Sequence, residues 1–117
     1  MTNWEKRIQG LLEYCEGLRV KKAQEYATAD DRLHNFNVAA ALSGITPEQA
    51  LWGMAVKHVI SLSDMIQSEQ YYRKEVWREK IGDMLNYLLL LWLLVVEQDD
   101  INAEEDSRLS EGGGDSD

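Results

Sequence analysis

Residues Trp77–Val96 read WREKIGDMLNYLLLLWLLVV and form the most hydrophobic stretch of the chain. From Ile81 onward, its only strongly polar side chains are Asp83 and Asn86. Residues four and three apart share one face of a helix, so Glu79, Asp83 and Asn86 form a polar stripe. Burying an ionised carboxylate in such a setting costs several kcal/mol unless a cation, a metal or hydrogen bonds compensate it. The stripe is therefore either a structural ion pair or a binding site.

The composition indicates one helical domain. The chain has 117 residues, of which 44% are apolar, so it can bury a core but has no room for two domains. It contains one proline and long stretches without turn-forming residues. The single Cys15 excludes an internal disulfide, and the absence of a CxxC or Cys/His cluster argues against zinc.

The N-terminus and the apolar run predict a cytoplasmic protein. The first residues lack the continuous apolar segment of a signal peptide. Leu88–Val96 is an uninterrupted apolar run. It is too short to span a bilayer, which requires about 20 apolar residues. We therefore expect no membrane association.

The net charge of −9 is concentrated near the C-terminus. Residues 99–117 contain eight acidic side chains against one Arg108 and lack apolar periodicity. This composition predicts a helical domain at 1–98 and a disordered acidic tail at 99–117. The tail either solubilises the protein or engages a basic site on a partner protein. No basic stripe exists, so duplex nucleic acid is not expected as a partner.

Hydrophobic periodicity predicts four main helices and no strands. The clearest start is ITPEQ, where Thr46 is the expected N-cap, Pro47 the first helical residue and Gln49 the partner in a capping box. The expected ranges are about Thr2–Ala27, Phe36–Leu42, Thr46–Ser68 and Tyr72–Gln98. The fold class is therefore all-α, a bundle of four to five helices.

The helix that follows Thr46 carries a second polar stripe. Lys57, Ser61 and Asp64 share a face at helical spacing. In an antiparallel bundle this stripe could face Asp83 and form a polar pocket. His58 is interpreted as a hydrogen-bonded core histidine. The structural alternative is that Asp83 simply pairs with Lys57 or His58.

The carboxylate pair Glu79 and Asp83 is a candidate Mg²⁺ site, because hard divalent ions prefer oxygen ligands. Further ligands could come from neighbouring helices, with Glu25 and either Asp30 or Asp31 as candidates. Spacing alone slightly favours a structural ion-pair network over a metal site, because such networks are common.

Other polar residues could contact a phosphate or a base. Lys57 could bind a phosphate as a point charge or form a salt bridge. His34 and Asn35, in RLHNF, could meet a base or sugar, or could cap a loop. Cys15 lies on the apolar face of the first helix, where a thiol is normally inert.

Three segments in order resemble small phage and bacterial proteins of the nucleotide-modification-associated type, within the wider all-α nucleoside triphosphate pyrophosphatase (MazG-like) group. The first is Tyr26 followed by a polar loop that ends in Asn35-Phe36, and the second is Thr46-Pro47-Glu48 with Lys57 in the same helix. The third is Glu79, Asp83 and Tyr87 on an apolar helix. The similarity covers roughly residues 20–95.

The resemblance implies a MazG-like fold and a phage or prophage origin, with a bacterial cytoplasm as its location. A homodimer is expected for a separate reason, because helices this short seldom bury both of their faces within one chain. The resemblance also implies Mg²⁺-dependent cleavage of a nucleoside triphosphate to the monophosphate and pyrophosphate. Glu79 and Asp83 would be catalytic metal ligands together with Glu25. Lys57 would neutralise phosphate charge, and base or sugar contacts would come from Asn35, His34 or Asn86.

Two departures from the group's pattern leave a second nucleotide-linked function open. The hydrolases carry a dense EExxE-type cluster, whereas the first helix here offers Glu13 and Glu16, with Glu25 further on. The second motif is spaced by four residues rather than three. A relative that binds a nucleotide without turnover fits these residues too. The alternative from another class is a small acidic phage protein that inhibits a host defence system.

Overall fold

A computed structural model of the chain describes residues 1–25 and 33–113. In these ranges the protein has four α-helices and no strand, which confirms the all-α prediction. The helices are α1 (Asn3–Glu25), α2 (His34–Ser43), α3 (Pro47–Gln67) and α4 (Lys74–Gly113). Tyr26, Asp30 and Asp31 lie outside the described residues, whereas the end of the predicted loop, Asn35-Phe36, lies in α2.

Local capping explains where α2 ends and where α3 begins. The Thr46 hydroxyl accepts from the Gln49 backbone N–H at 3.1 Å, and the Thr46 N–H donates to the Gln49 side chain at 3.0 Å. This is the predicted capping box, and it fixes the first turn of α3. Helix α2 ends at Gly44, whose φ of 68° is readily accessible only to glycine.

Helix α4 lies between α1 and α3, and α2 packs against α3. Along the α1–α4 contact the residue numbers rise together: Arg78 lies over Tyr14, Gly82 lies beside Cys15, and Asn86 bonds Arg19. These two helices are therefore parallel.

Helix α3 runs the other way. His58 contacts Asp83, while the earlier α3 residue Leu51 shares a cluster with the later α4 residue Leu94. Helices α3 and α4 are therefore antiparallel. Within the described ranges α1 and α3 do not approach each other, so the chain does not close into the predicted bundle.

The contact between α1 and α4 is close because Gly82 has no side chain. A Cβ at this position would lie 3.1 Å from Cε1 of Tyr14 and 3.5 Å from Sγ of Cys15. Cys15 is consequently only 1% exposed. A larger residue here would therefore force the Tyr14 ring to shift by a few tenths of an ångström.

The main hydrophobic core joins α2, α3 and α4. Its buried members are Phe36, Leu51, Ala55 and Leu94. Partly buried apolar side chains surround it: Leu33, Met84, Tyr87, Leu90 and Leu91. The core therefore lies on one side of α4, and α1 covers a separate, smaller face.

Helix α4 continues past the end of the packed region. The sequence predicts disorder from residue 99, but the structure is helical as far as Gly113. Side chains from Glu97 to Ser110 are all exposed, so no described part of the chain covers this segment of α4. Its side-chain contacts are between residues four apart, Gln98 with Asn102 and Glu104 with Arg108. The extension thus propagates from a packed helix, and the segment after Glu97 contains no Gly or Pro before residue 112.

By length and composition alone, Lys74–Ser110 meets the criteria for a membrane-spanning helix. The core helices of soluble proteins also meet these criteria, but they are mostly buried. Buried residues make up only 17% of the most apolar window of α4. Much of the apolar surface of α4 is therefore uncovered within one chain.

Candidate functional site: a polar groove on the central helix

The polar stripe of α4 lies in the groove between α1 and α3. Asn86 faces α1, where it bonds Arg19, and Asp83 faces α3, where it meets His58. Glu79 lies one turn before Asp83 and is exposed. Because residues seven apart nearly superpose in a helical projection, Glu79 shares the angular position of Asn86. The stripe therefore forms the floor of the groove.

Asn86 joins α4 to α1. Its Oδ1 accepts from Nη1 of Arg19 at 2.8 Å, and its Nδ2 donates to the Cys15 carbonyl at 3.4 Å. The side chain is only 6% exposed, and both ends of its amide are engaged. The sequence interpretation made Asn86 a possible base or sugar contact, whereas this geometry makes it a structural link.

Asp83 faces a histidine rather than a lysine. Its Oδ2 lies 3.8 Å from Nδ1 of His58, and the two side chains are 22% and 27% exposed. That distance exceeds hydrogen-bond range, so the attraction depends on a proton on the imidazole. The His58 ring also lies 5.0 Å from the Tyr87 ring, tilted by 40°. Of the two pairings left open for Asp83, the structure shows the one with His58.

The second stripe, predicted from Lys57, Ser61 and Asp64, does not face Asp83 as a unit. Lys57 and Asp64 are exposed, and Ser61 is partly buried. The helical rotation that brings His58 onto α4 turns the preceding residue about 100° away. Lys57 thus remains available to solvent beside the groove.

The described residues contain no group of three metal-binding side chains. The parallel alignment of α1 and α4 separates Glu25 from the other two predicted ligands. Since Arg19 lies level with Asn86, the backbone of Glu25 lies roughly 20 Å along the axis from that of Glu79 at 1.5 Å per residue. Glu79 and Asp83 remain adjacent, one turn apart on α4.

His34 and Asn35 lie in the first turn of α2, and both are exposed. Helix α2 packs on α3 and makes no contact with α1 in the described ranges. The sequence placed these two residues in a loop at a nucleotide site. The structure places them on a helix, and no described contact joins them to Asp83.

The sequence interpretation missed Arg19 as a groove residue. It follows Cys15 by one turn on the apolar face of α1, a signal that could have identified it. It contributes a positive charge at the α1 wall. Burial raises the pKa of the Cys15 thiol, an effect that the Arg19 guanidinium partly offsets. The thiol is therefore a packed neighbour of the groove in its neutral form.

Comparisons with protein-family models, with curated proteins and with solved structures gave no match to this chain.

Proposed function

We propose that the groove between α1 and α3 binds a nucleoside triphosphate together with Mg²⁺. In the hydrolytic form of this proposal the protein releases the monophosphate and pyrophosphate, and in the other form it binds without turnover. The observation that carries the proposal is the position of Asp83. This carboxylate is mostly buried, has a second carboxylate one turn away, and meets its cationic neighbour only at 3.8 Å.

The residues in the groove fit a magnesium ion. Glu79 and Asp83 supply carboxylate oxygens from one face of α4, and Mg²⁺ is commonly held by one or two carboxylates, waters and substrate phosphates. These two residues would hold the ion, without a third protein ligand among the described side chains. The bound ion would supply charge neutralisation at phosphate oxygens.

The other charges around the groove favour a polyphosphate. Lys57 is exposed at the edge of α3 and can approach a phosphate as a point charge. His58 adds a positive charge beside Asp83 when its imidazole is protonated. His34 and Asn35 stay in the proposal as base or sugar contacts. Asn86 does not, because its amide is engaged with α1.

The proposal is tested by titrating the protein with a panel of nucleoside triphosphates, with and without Mg²⁺, in a calorimeter. The same mixtures are assayed for released pyrophosphate. We expect Mg²⁺-dependent binding that Asp83→Asn weakens at least tenfold, about 1.4 kcal/mol. The matched control is Asp64→Asn, which removes an exposed carboxylate of α3 and should leave binding unchanged.

Absence of both binding and hydrolysis across the panel would contradict the proposal. Equal effects of Asp83→Asn and Asp64→Asn would contradict the assignment of the site. Binding without pyrophosphate release would select the non-hydrolysing form.

A second candidate function is supported by the exposed end of α4. Six carboxylates lie between Glu97 and Asp106, on a helical segment that no other part of the described chain covers. Such a surface could engage a basic site, as expected for an acidic inhibitor of a host defence protein. Deletion of residues 99–117 would abolish such an activity and would leave nucleotide binding intact. The inhibitor's activity should also fall steeply with salt.

A further inference from the structure

Helix α4 has a third face that none of the described helices covers. Its apolar residues follow one another by four, three, four and three positions: Ile81, Leu85, Leu88, Trp92 and Val95. This is the spacing of a coiled-coil seam. Leu88 is 45% exposed, Trp92 64% and Val95 46%. The face points away from both α1 and α3, which contact Asn86 and Asp83 on the opposite side of α4.

The dimensions of the chain indicate that it is not a compact monomer. Its accessible surface is 9015 Å², whereas a compact chain of 13.4 kDa exposes roughly 6,500 Å². Its radius of gyration is 19.2 Å, against about 13 Å for a compact domain of this length. The surplus surface exceeds the about 800 Å² per partner that a stable dimer buries.

We propose that a second copy of this chain covers this face, with the two α4 helices antiparallel and crossing near Leu88. A lipid bilayer is a poorer occupant, because α4 already carries α1 and α3 on its other faces through polar contacts. The chain's charge of −9 also opposes anionic lipid surfaces.

The distribution of charge along α4 favours an antiparallel over a parallel pair of α4 helices. The N-terminal part of α4 and the residue before it carry four basic side chains against two acidic ones: Arg73, Lys74, Arg78 and Lys80 against Glu75 and Glu79. Six carboxylates lie between Glu97 and Asp106. A parallel pair would place the two acidic ends side by side. An antiparallel pair places each acidic end level with a basic start, which is favourable.

The overhangs of α1 and α4 fit the same arrangement. Tyr14 lies level with Arg78, so α1 begins about 10 Å beyond the start of α4, with Trp4 and Ile8 exposed. The unpacked end of α4 projects from the opposite end of the chain. Antiparallel pairing about Leu88 brings the second copy's acidic extension roughly level with this part of α1, which also carries Lys6 and Arg7.

The mass in solution tests the pairing. Light scattering coupled to gel filtration should give twice the chain mass of 13.4 kDa at micromolar concentration. Leu88→Glu should weaken the dimer at least tenfold. The matched control Leu42→Glu changes an 83% exposed leucine of α2 and should leave the dimer intact. Circular dichroism checks that both variants are helical, and Leu88→Ala replaces Leu88→Glu if that variant unfolds.

Disulfide trapping tests whether the two α4 helices are antiparallel. In the antiparallel pair, position 81 of one copy faces position 95 of the other. Oxidation of a mixture of Ile81→Cys and Val95→Cys chains should give the mixed disulfide, with little dimer from either variant alone. The native Cys15 is buried and should give none.

Three results would overturn the proposal. The first is a wild-type chain that stays monomeric at concentrations on the order of 100 µM. The second is equal dimerisation by Leu88→Glu and Leu42→Glu. The third is association only with vesicles of neutral lipid. Efficient self-linking of Ile81→Cys would overturn the antiparallel direction. None of these results bears on nucleotide binding, which is measured separately.

Discussion

Nη1 of Arg19 donates to Oδ1 of Asn86 over 2.8 Å, across the interface between α1 and α4. The other end of the same amide donates to the Cys15 carbonyl. One buried side chain thus fixes both the rotation and the register of α1 on the central helix. This contact forms one wall of the groove that contains Asp83.

Replacing Asn86 should weaken the packing of α1 on α4. We expect Asn86→Ala to lower the free energy of unfolding by about 1–3 kcal/mol, because the buried Cys15 carbonyl loses its side-chain partner and the charge-assisted bond to Arg19 is lost. Urea denaturation at one fixed protein concentration measures the change. Asn102→Ala, on the exposed end of the same helix, should stay within about 0.5 kcal/mol. Equal effects of both changes would contradict the structural role of Asn86.

A methyl group at Gly82 should be costly although alanine favours helices. Its Cβ would lie 3.1 Å from Cε1 of the Tyr14 ring. The Arg78 guanidinium also packs on this ring, with its Cζ 4.4 Å from the ring centroid. Overpacking costs roughly 1–3 kcal/mol and the gain in helix propensity is about 1 kcal/mol, so we expect a net loss of about 1 kcal/mol. Thermal unfolding followed by circular dichroism measures it.

The matched change Gly53→Ala has the opposite expected sign. Apart from the neighbouring residues and backbone of its own helix, no described atom lies within 4 Å of a Cβ at this position in α3. We expect a gain of about 0.5–1 kcal/mol from helix propensity alone. A stabilising Gly82→Ala would show that α1 packs less closely than the structure has it.

The sequence predicted the helices better than their packing. The capping box at Thr46 and the apolar periodicity are local signals, and both the start and the approximate end of α3 were confirmed. The end of α4 was not, because composition alone cannot show that an acidic segment propagates from a packed helix.

The groove was predicted in part. The stripe of Glu79, Asp83 and Asn86 follows directly from helical spacing, and it does share one side of α4. Which residue of α3 faces Asp83 depends on the rotation of α3 about its own axis. That rotation is set by burial of Leu51 and Ala55, which turns His58 inward and Lys57 outward. Spacing within one helix contains no such information.

The capping box at α3 should contribute measurably to stability. Thr46→Ala removes the acceptor for the Gln49 N–H, and we expect a loss of about 1 kcal/mol. Thr2 and Glu5 form the same reciprocal pair at the start of α1, in a turn with no tertiary cover. Thr2→Ala should therefore cost less, under about 0.5 kcal/mol. Denaturation midpoints of the two variants provide the comparison, and a larger loss at Thr2 would contradict it.

Cys15 should make stability fall at high pH. Burial raises its thiol pKa above the ordinary value of 9.0, so the unfolded chain loses this proton before the folded chain does. Its contribution is fully present below pH 9.0 and is lost as the pH rises from there through the folded-state pKa. Cys15→Ala should lack this component, so the stability difference between the two proteins should shrink above that pH. A difference that is independent of pH from 7 to about 10.5 would contradict the burial of the thiol.

Amide hydrogen exchange should divide α4 into two parts. Residues Gly82–Leu94 pack against α1 and α3, so their amides should exchange only through large openings. Residues 99–110 have no covering contact, and a helix supported only by pairs four residues apart opens at little cost. We expect near-complete exchange of 99–110 within seconds to minutes, while 82–94 stays protected for far longer. Exchange is measured at a protein concentration low enough for the chain to be monomeric. A second copy packed beside residues 99–110 would slow the exchange of their amides. Strong protection of 99–110 in the monomer would show that the extension is packed against its own chain.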